Sequence, residues 1–287
     1  MDILKYKVPQ GSKVDLKEWK TTPPADIDSE KKLKKKLKKN LDELTELQDK
    51  LYANNKYGLL LIFQAMDAAG KDGAIKHVMS GVNPQGTEVY SFKQPSTTEL
   101  DHDFLWRTNK AMPERGRIGI FNRSYYEEVL VVKVHNLIEN QNIPEEFITD
   151  DIWERRYRQI RDNERYLHEN GIIIVKFFLH LSKEEQKNRF LSRLDTPSKN
   201  WKFSAGDLKE RKYWDEYQKC YAEAISETST QDSPWYIVPA DNKDYTRKVI
   251  SDVVVKTLKG FDIAYPELNE EQLKDLDKYK RQLKEDN

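Results

Sequence analysis

Cysteine is almost missing from this chain. Cys220 is the only one in 287 residues, so no internal disulfide can form, and a stapled secreted scaffold is excluded in favour of a reducing compartment. The lone thiol reads as a small helix-packing residue rather than a nucleophile. Histidine is scarce too, at five. No Cys or second His stands at ligand spacing from His102, which is read as structural rather than metal-binding, and no Ser/His/Asp arrangement is visible. Long apolar runs are absent: none approaches the ~18 residues of a membrane helix, and the opening MDILKYKV lacks the apolar core of a signal peptide. The expectation is a soluble, cytoplasmic protein with no membrane partner. Net charge is also missing. Forty-nine basic residues cancel 49 acidic ones, so the field of the whole molecule cannot gather a polyanion, and any anion site must be a local basic groove.

What is present is concentrated in residues 58–77, GLLLIFQAMDAAGKDGAIKH. The run Leu59–Phe63 suits a parallel strand buried on both faces, and the small residues Ala68, Ala69, Gly70 and Gly73 let backbone N–H groups converge on an anion. Lys71 adds a full positive charge. Strand, glycine loop, Lys and helix in this order make a P-loop, with the helix N-terminus aimed at phosphate oxygens. Ala69, Gly70, Asp72, Gly73 and Lys76 are the expected phosphate contacts here. Ala65 occupies the place of the loop's first Gly, Asp72 replaces the usual Ser or Thr, and a further carboxylate, Asp67, lies inside the loop. The competing reading is a tight strand-to-helix turn with a solvent-facing Lys. Farther along, AMDAAGKDG, LDHDFLWR, RIGIFNRSYYEE, DTPSKNWKFSAGDLKER and WYIVPADNK together resemble the polyphosphate kinase 2 family, over about residues 20 to 260. The resemblance implies a P-loop kinase fold and phosphoryl exchange between inorganic polyphosphate and nucleotides.

A 37% hydrophobic content supports a core inside a very polar exterior. Residues 1–28, with Pro9, Gly11, Pro23 and Pro24, read as an extended N-terminal arm packed on the body or on a partner subunit. Leu33, Leu37, Leu41, Leu44, Leu47 and Leu51 then form one helical stripe. The Lys-rich run 31–39 around it reads as the solvated side of that helix rather than as a nucleic-acid site. Apolar or β-rich runs at 59–63, 87–92, 118–121, 172–178 and 235–238 alternate with helical stretches. This predicts an α/β fold, a P-loop kinase-like three-layer sandwich with a central parallel sheet of about five strands and ligands at the strands' carboxyl ends. The kinase domain is expected over 29–265. Within it a polar insertion at about 182–230 is read as a helical lid. Residues 266–287 form a charged C-terminal helix.

A second strand and loop, Ile118–Ile120 followed by FNRS, mirrors the first. Where P-loop enzymes commonly carry a magnesium-holding Asp, this chain has Asn122, so more of the metal's charge falls to Asp67. Asp67 is the expected main metal carboxylate; the alternative is a capping or turn residue. Arg123 is expected to engage the moving phosphoryl group. Arg189, Arg193, Lys199 and Lys202 of the lid can reach the same anion, with Arg193 and Lys202 favoured. Residues Phe92, Lys93, Pro95 and Arg107 match the family block near the acceptor nucleotide, and Asn122 is grouped with them; Trp106 is read as a packing residue. The resemblance further implies a magnesium cofactor, manganese being a possible substitute, AMP, ADP and ATP as nucleotides, and a homodimer or homotetramer.

The subclass rests on one comparison. Family members acting mainly on nucleoside diphosphates carry a block resembling FDRSWYN, whereas FNRSYYE continuing into EVLVVKVH is similar to the subgroup acting on both AMP and ADP. Glu127 is therefore a candidate catalytic residue and a second candidate metal ligand. An ATP-dependent nucleoside monophosphate kinase and a catalytically silent polyanion- or RNA-binding protein are the rival readings.

Overall fold

The computed structural model describes residues 2–286. Five parallel strands form one sheet: β1 (Gly58–Gln64), β2 (Thr87–Ser91), β3 (Ile118–Asn122), β4 (Ile172–His180) and β5 (Trp235–Pro239), in the order β2-β3-β1-β4-β5. The helices, in chain order, are α1 (Glu30–Asn54), α2 (Lys71–Val78), α3 (Thr97–Leu100), α4 (Trp106–Asn109), α5 (Val131–Val134), α6 (Ile152–Glu169), α7 (Lys183–Asp195), α8 (Ala205–Glu210), α9 (Trp214–Thr228), α10 (Lys243–Lys259) and α11 (Glu270–Glu285). No helix is long and apolar enough to cross a membrane among the described residues.

The alternation of β1 explains the three layers. Leu59, Leu61 and Phe63 face a core shared with α1, α2 and α10, while Leu60 and Ile62 face a second core built with α6 and α9. Every residue of β1 and β4 is buried, as strands covered by helices on both faces must be. In the leucine stripe of α1, Leu33, Leu44, Leu47 and Leu51 are buried, and the lysines of the same helix stay largely in solvent. Asn55 ends the helix in the left-handed region at φ +50° and donates its N–H to Leu51. Cys220 is buried in the apolar face of α9, and burial pushes its thiol up to about 11.

The N-terminal arm packs on the body of its own chain. Lys7 pairs antiparallel with Tyr236 on β5, and the Val8 N–H donates to the Trp235 carbonyl at 2.9 Å. Farther on, Thr21 is bound twice to Asp241: its hydroxyl donates to Oδ2 at 2.8 Å, and its carbonyl accepts the Asp241 N–H at 3.0 Å. The insertion at 182–230 divides by packing. Its last helix, α9, buries Trp214, Tyr217, Tyr221 and Ile225 within the core that also holds Tyr157 and Ile160 of α6. The 3-10 turn Pro197–Lys202 and α8, by contrast, contain no buried residue.

One charged pair sits inside the second core. The Lys176 ammonium on β4 donates to Glu164 on α6, to the Tyr126 hydroxyl at 3.0 Å and to the Thr228 carbonyl at 2.7 Å. Tyr125 and Tyr126 each donate to the other Glu164 oxygen at 2.8 Å. Burial pulls the Lys176 pKa down and raises both phenols well above their ordinary value. These two tyrosines follow Arg123 and Ser124 directly, so the buried pair anchors the turn leaving β3. Removing one partner strands the other charge, at a cost of about 3–5 kcal/mol. Glu164→Gln and Lys176→Met are each expected to lose stability on this scale in urea unfolding, and the double variant is expected to lose clearly less than the sum. Additive losses would show that the charges do not act as a pair.

Candidate active site

At the carboxyl ends of β1 and β3 lies a cavity of about 940 Å³. Nine basic side chains line it against four acidic ones, so a chain of zero net charge carries a local cationic basin. The loop from Ala65 to Gly70 enters its lining at Asp67, and the lining continues to Ala74 in α2. Ala68 (φ +61°) and Gly70 (φ +98°) are both left-handed, a conformation a glycine takes without strain and other residues adopt at a cost, typically at functional turns.

The carbonyls of this loop are tied back one by one. Ala65 accepts from the Lys71 ammonium at 2.8 Å, Met66 from the Ala69 N–H at 3.2 Å, and Asp67 from Gln186 Nε2 at 2.9 Å. Ala68 and Ala69 accept from one Arg189 nitrogen at 3.1 and 2.7 Å, and Gly70 accepts from the Ala74 N–H at 2.9 Å. A peptide whose C=O is held outward presents its N–H on the opposite side. Because the first N–H groups of α2 have no intrahelical partner and no side chain caps Gly70, they face an anion ready-made. Arg189 is itself buried, held by Glu185 at 2.8 Å and by the Ala240 carbonyl at 2.6 Å. Its donors are spent on backbone carbonyls and on Glu185, so it shapes the loop.

Lys71, Arg123 and Asp67 come together as the sequence implied. Burial, followed by the neighbouring Arg123 charge, pulls the Lys71 pKa down. Arg123 is left-handed at φ +63°, its N–H donates to the Phe63 carbonyl at 3.0 Å, and its guanidinium pairs with Asp67 at 3.1 Å. Two cations this close are favoured only with anions beside them. Glu127 is the largest of those raising the Arg123 pKa. Asn122 donates its amide to Asp72 at 2.6 Å, joining the end of β3 to the first turn of α2.

Other expected residues lie elsewhere. Glu127 does not line the cavity; it lies half-buried beside Arg123, 3.8 Å from the guanidinium, with its pKa raised by desolvation. After Ser124 the chain forms a 3-10 turn, Tyr125–Val129, because the Ser124 hydroxyl accepts from the Tyr126 N–H and starts a tight turn. Phe92 forms part of the wall at 9% exposure, its ring packed on Phe121 and under the Arg107 guanidinium, so it offers no open stacking face. Lys93 also lines the cavity, whereas Pro95 and Arg107 line an adjoining cavity of about 440 Å³. There Arg107 donates to the Lys93 carbonyl at 2.8 Å. His102 lies in a bend rather than on a helix and stacks on Trp106, with centroids 3.9 Å apart. Lys76 is exposed and outside the cavity lining. Arg193, Lys199 and Lys202 line the cavity's outer wall; Arg193 binds the Lys202 carbonyl and Asp207, both at 3.2 Å.

Four contributors were missed by sequence reasoning. Lys243 and Arg247, on the first turns of α10, line the cavity; their position just past β5, at the carboxyl edge of the sheet, was the available signal. Asp207 approaches from α8, its pKa raised by burial and then by Asp67. Gln186 is 1% exposed and bridges Asp67 to Arg211, which donates to its Oε1 at 2.6 Å. No group of three His, Cys, Asp or Glu side chains could hold a metal by itself among the described residues. Asp67 and Asp207 on one anion cavity nonetheless fit magnesium, which is typically held by one or two carboxylates together with substrate phosphates.

The comparisons agree with this geometry. The family model for Polyphosphate kinase 2 (PPK2) matches residues 26–266. The chain is 53% identical to an ADP-polyphosphate phosphotransferase of Rhodopseudomonas palustris over 97% of both chains. It is 48% identical to an AMP/ADP-polyphosphate phosphotransferase of Meiothermus ruber over 78% of this chain and 80% of that one. A crystal structure of polyphosphate kinase 2 from Arthrobacter aurescens TC1 superposes with a TM-score of 0.85 at 40% identity, covering 92% of this chain and 91% of that one. With a phosphate loop, paired cations and a carboxylate on the same sheet edge, this chain belongs to the polyphosphate kinase 2 family.

Proposed function

We propose that this protein transfers the terminal phosphoryl group of inorganic polyphosphate to AMP and to ADP, in the cytoplasm and with magnesium. The observation carrying this reading is the loop whose carbonyls are all tied back, beside Lys71, Arg123 and Asp67. Its free N–H groups and two cations suit a polyanionic donor whose charge changes little between ground state and transition state. The acceptor phosphate is ionised at neutral pH, so no general base is needed. An acceptor oxygen forms the new bond to phosphorus as the bridging bond to the next phosphate breaks, and the shortened polyphosphate leaves with the electron pair. Lys71 and Arg123 steady the equatorial oxygens of the moving group. Asp67, joined by Asp207, would hold magnesium, which when bound supplies charge neutralisation between donor and acceptor oxygens. The 3-10 turn and α8, residues 197–210, act as the moving part of the lid and exclude water. The nucleoside of the acceptor extends toward Lys93 and the adjoining cavity. Incubating the protein with magnesium, AMP or ADP, and either polyphosphate or ATP as donor, with chromatographic separation of products, tests the reading. Nucleotide products from ATP but not from polyphosphate would replace it with a nucleoside monophosphate kinase.

Lys71→Ala is expected to lower polyphosphate-dependent turnover about a hundredfold or more while leaving the circular dichroism unchanged, the scale of losing one preorganised charge donor. Near-normal turnover would remove Lys71 from the chemistry. At the metal, Asp67→Asn is expected to abolish turnover or raise the magnesium requirement steeply, with Asn122→Ala milder, since Asn122 brings no charge and its amide serves Asp72. A magnesium titration giving the reverse order would move the metal to the other strand.

Glu127 acts in this reading through Arg123. AMP is one phosphate shorter than ADP, so its attacking oxygen must reach deeper, toward the guanidinium that Glu127 backs. Glu127→Asn is expected to reduce kcat/KM for AMP more than for ADP. An unchanged ratio, with only stability lost, would leave Glu127 a support for the fold.

A further inference from the structure

Helix α11 stands apart from both cores. None of its residues is buried, and Leu273, Leu276 and Tyr279 are each 51% exposed and Leu283 75%. Those four side chains recur at steps of three and four, so they occupy one stripe along a helix about 24 Å long. An isolated helix of this length is marginal in water. Its start is well made: Asn269 and Gln272 form a reciprocal capping box. A capped helix with an uncovered stripe lacks only a surface to bury the stripe against.

The charges of α11 specify that surface. The first half, residues 270–277, carries Glu270, Glu271, Asp275 and Asp277 against Lys274, and the second half, 278–285, carries Lys278, Lys280, Arg281 and Lys284 against Glu285. The halves have net charges of opposite sign and equal size. A parallel twin would set like on like, whereas an antiparallel twin sets each acidic half on a basic half and opposes the helix dipoles favourably.

We propose that α11 is a self-association surface whose occupant is α11 of a second copy of this chain, lying antiparallel. In the centred register Leu273 of one copy lies opposite Leu283 of the other, Leu276 is covered by the aliphatic stem of Lys280, and Glu270 flanks Lys284. Four apolar side chains a side make a contact smaller than the ~800 Å² per partner of a standard interface. The association is therefore concentration-dependent and weakened by salt.

Cysteine pairing in the full-length protein tests both partner and direction. Leu273→Cys and Leu283→Cys are made as separate variants, and the native chain, whose buried Cys220 thiol stays silent, is the control. With copper phenanthroline and air, the mixture of the two variants is expected to give a cross-linked dimer on a non-reducing gel, and each variant alone little or none, because like positions are about 15 Å apart in the antiparallel pair. Variants that cross-link alone as readily as in mixture would mean a parallel pair, and no cross-link in the mixture would mean that the stripe faces another surface; either overturns the proposal. In a second measurement, Leu276→Glu with Leu283→Glu is expected to lower the weight-average mass in sedimentation at a given concentration while leaving turnover per chain intact. An unchanged mass across the concentration range would also overturn it.

Discussion

The loop from Ala65 to Gly70 can turn its N–H groups toward the cavity only because something else holds its carbonyls. Backbone near an anion presents N–H groups when each C=O has a better partner on the far side, and α7 supplies two of those partners, Gln186 and Arg189. A buried guanidinium without donors satisfied costs several kcal/mol; here loop carbonyls, the Ala240 carbonyl and Glu185 satisfy it. The sheet positions α7, α7 positions the loop, and the loop positions the charge. Arg211 adds a further link: by donating to Gln186 it connects the segment after α8 to the carbonyl of Asp67.

Electrostatics in the cavity follow from concentration rather than amount. Lys71, Arg123 and Lys243 sit close enough to other cations that the Lys71 and Lys243 pKa values are pulled down, by burial first and by neighbouring guanidinium charge second. A polyanion relieves that repulsion on binding, and Asp67 and Glu127 hold the site together before it does. Glycine is favoured in the loop at Gly70 by its φ of +98°, a conformation strained for any residue with a side chain.

Much of this was legible in the sequence because the signals were local. β1 and β4 appear as long apolar runs because they are buried along their whole length, the edge strand β2 (TEVYS) is exposed and shows itself by its β-rich residues instead, and the loop declares itself by its small residues before Lys71. What was not legible depends on which way a polar side chain turns. α7 reads KEEQKNRFLSRLD, a solvated helix by composition, and nothing in that string separates the inward Gln186 and Arg189 from the outward Lys187 and Leu191. Glu127 is a candidate by its place in FNRSYYE, and the 3-10 turn sets it beside the Arg123 guanidinium rather than in the cavity lining. The arm was undecided for a related reason: its partners Ser226, Ser229 and Asp241 lie more than 200 positions away.

That separation sets an order of assembly. The strap crosses β5 at Lys7 and Val8 and ends at Asp241, whose carboxylate also takes the Ser182 N–H at the start of α7 and whose neighbour Ala240 takes Arg189. During synthesis the first residues to emerge must wait for nearly the last before they can dock, so the β5 edge closes only on a nascent chain that has been translated past Asp241. Until then Arg189 lacks its Ala240 acceptor, one of the groups that fix its guanidinium against the loop carbonyls. A nascent chain thus carries the loop's sequence before the last of the partners that fix its geometry has been made.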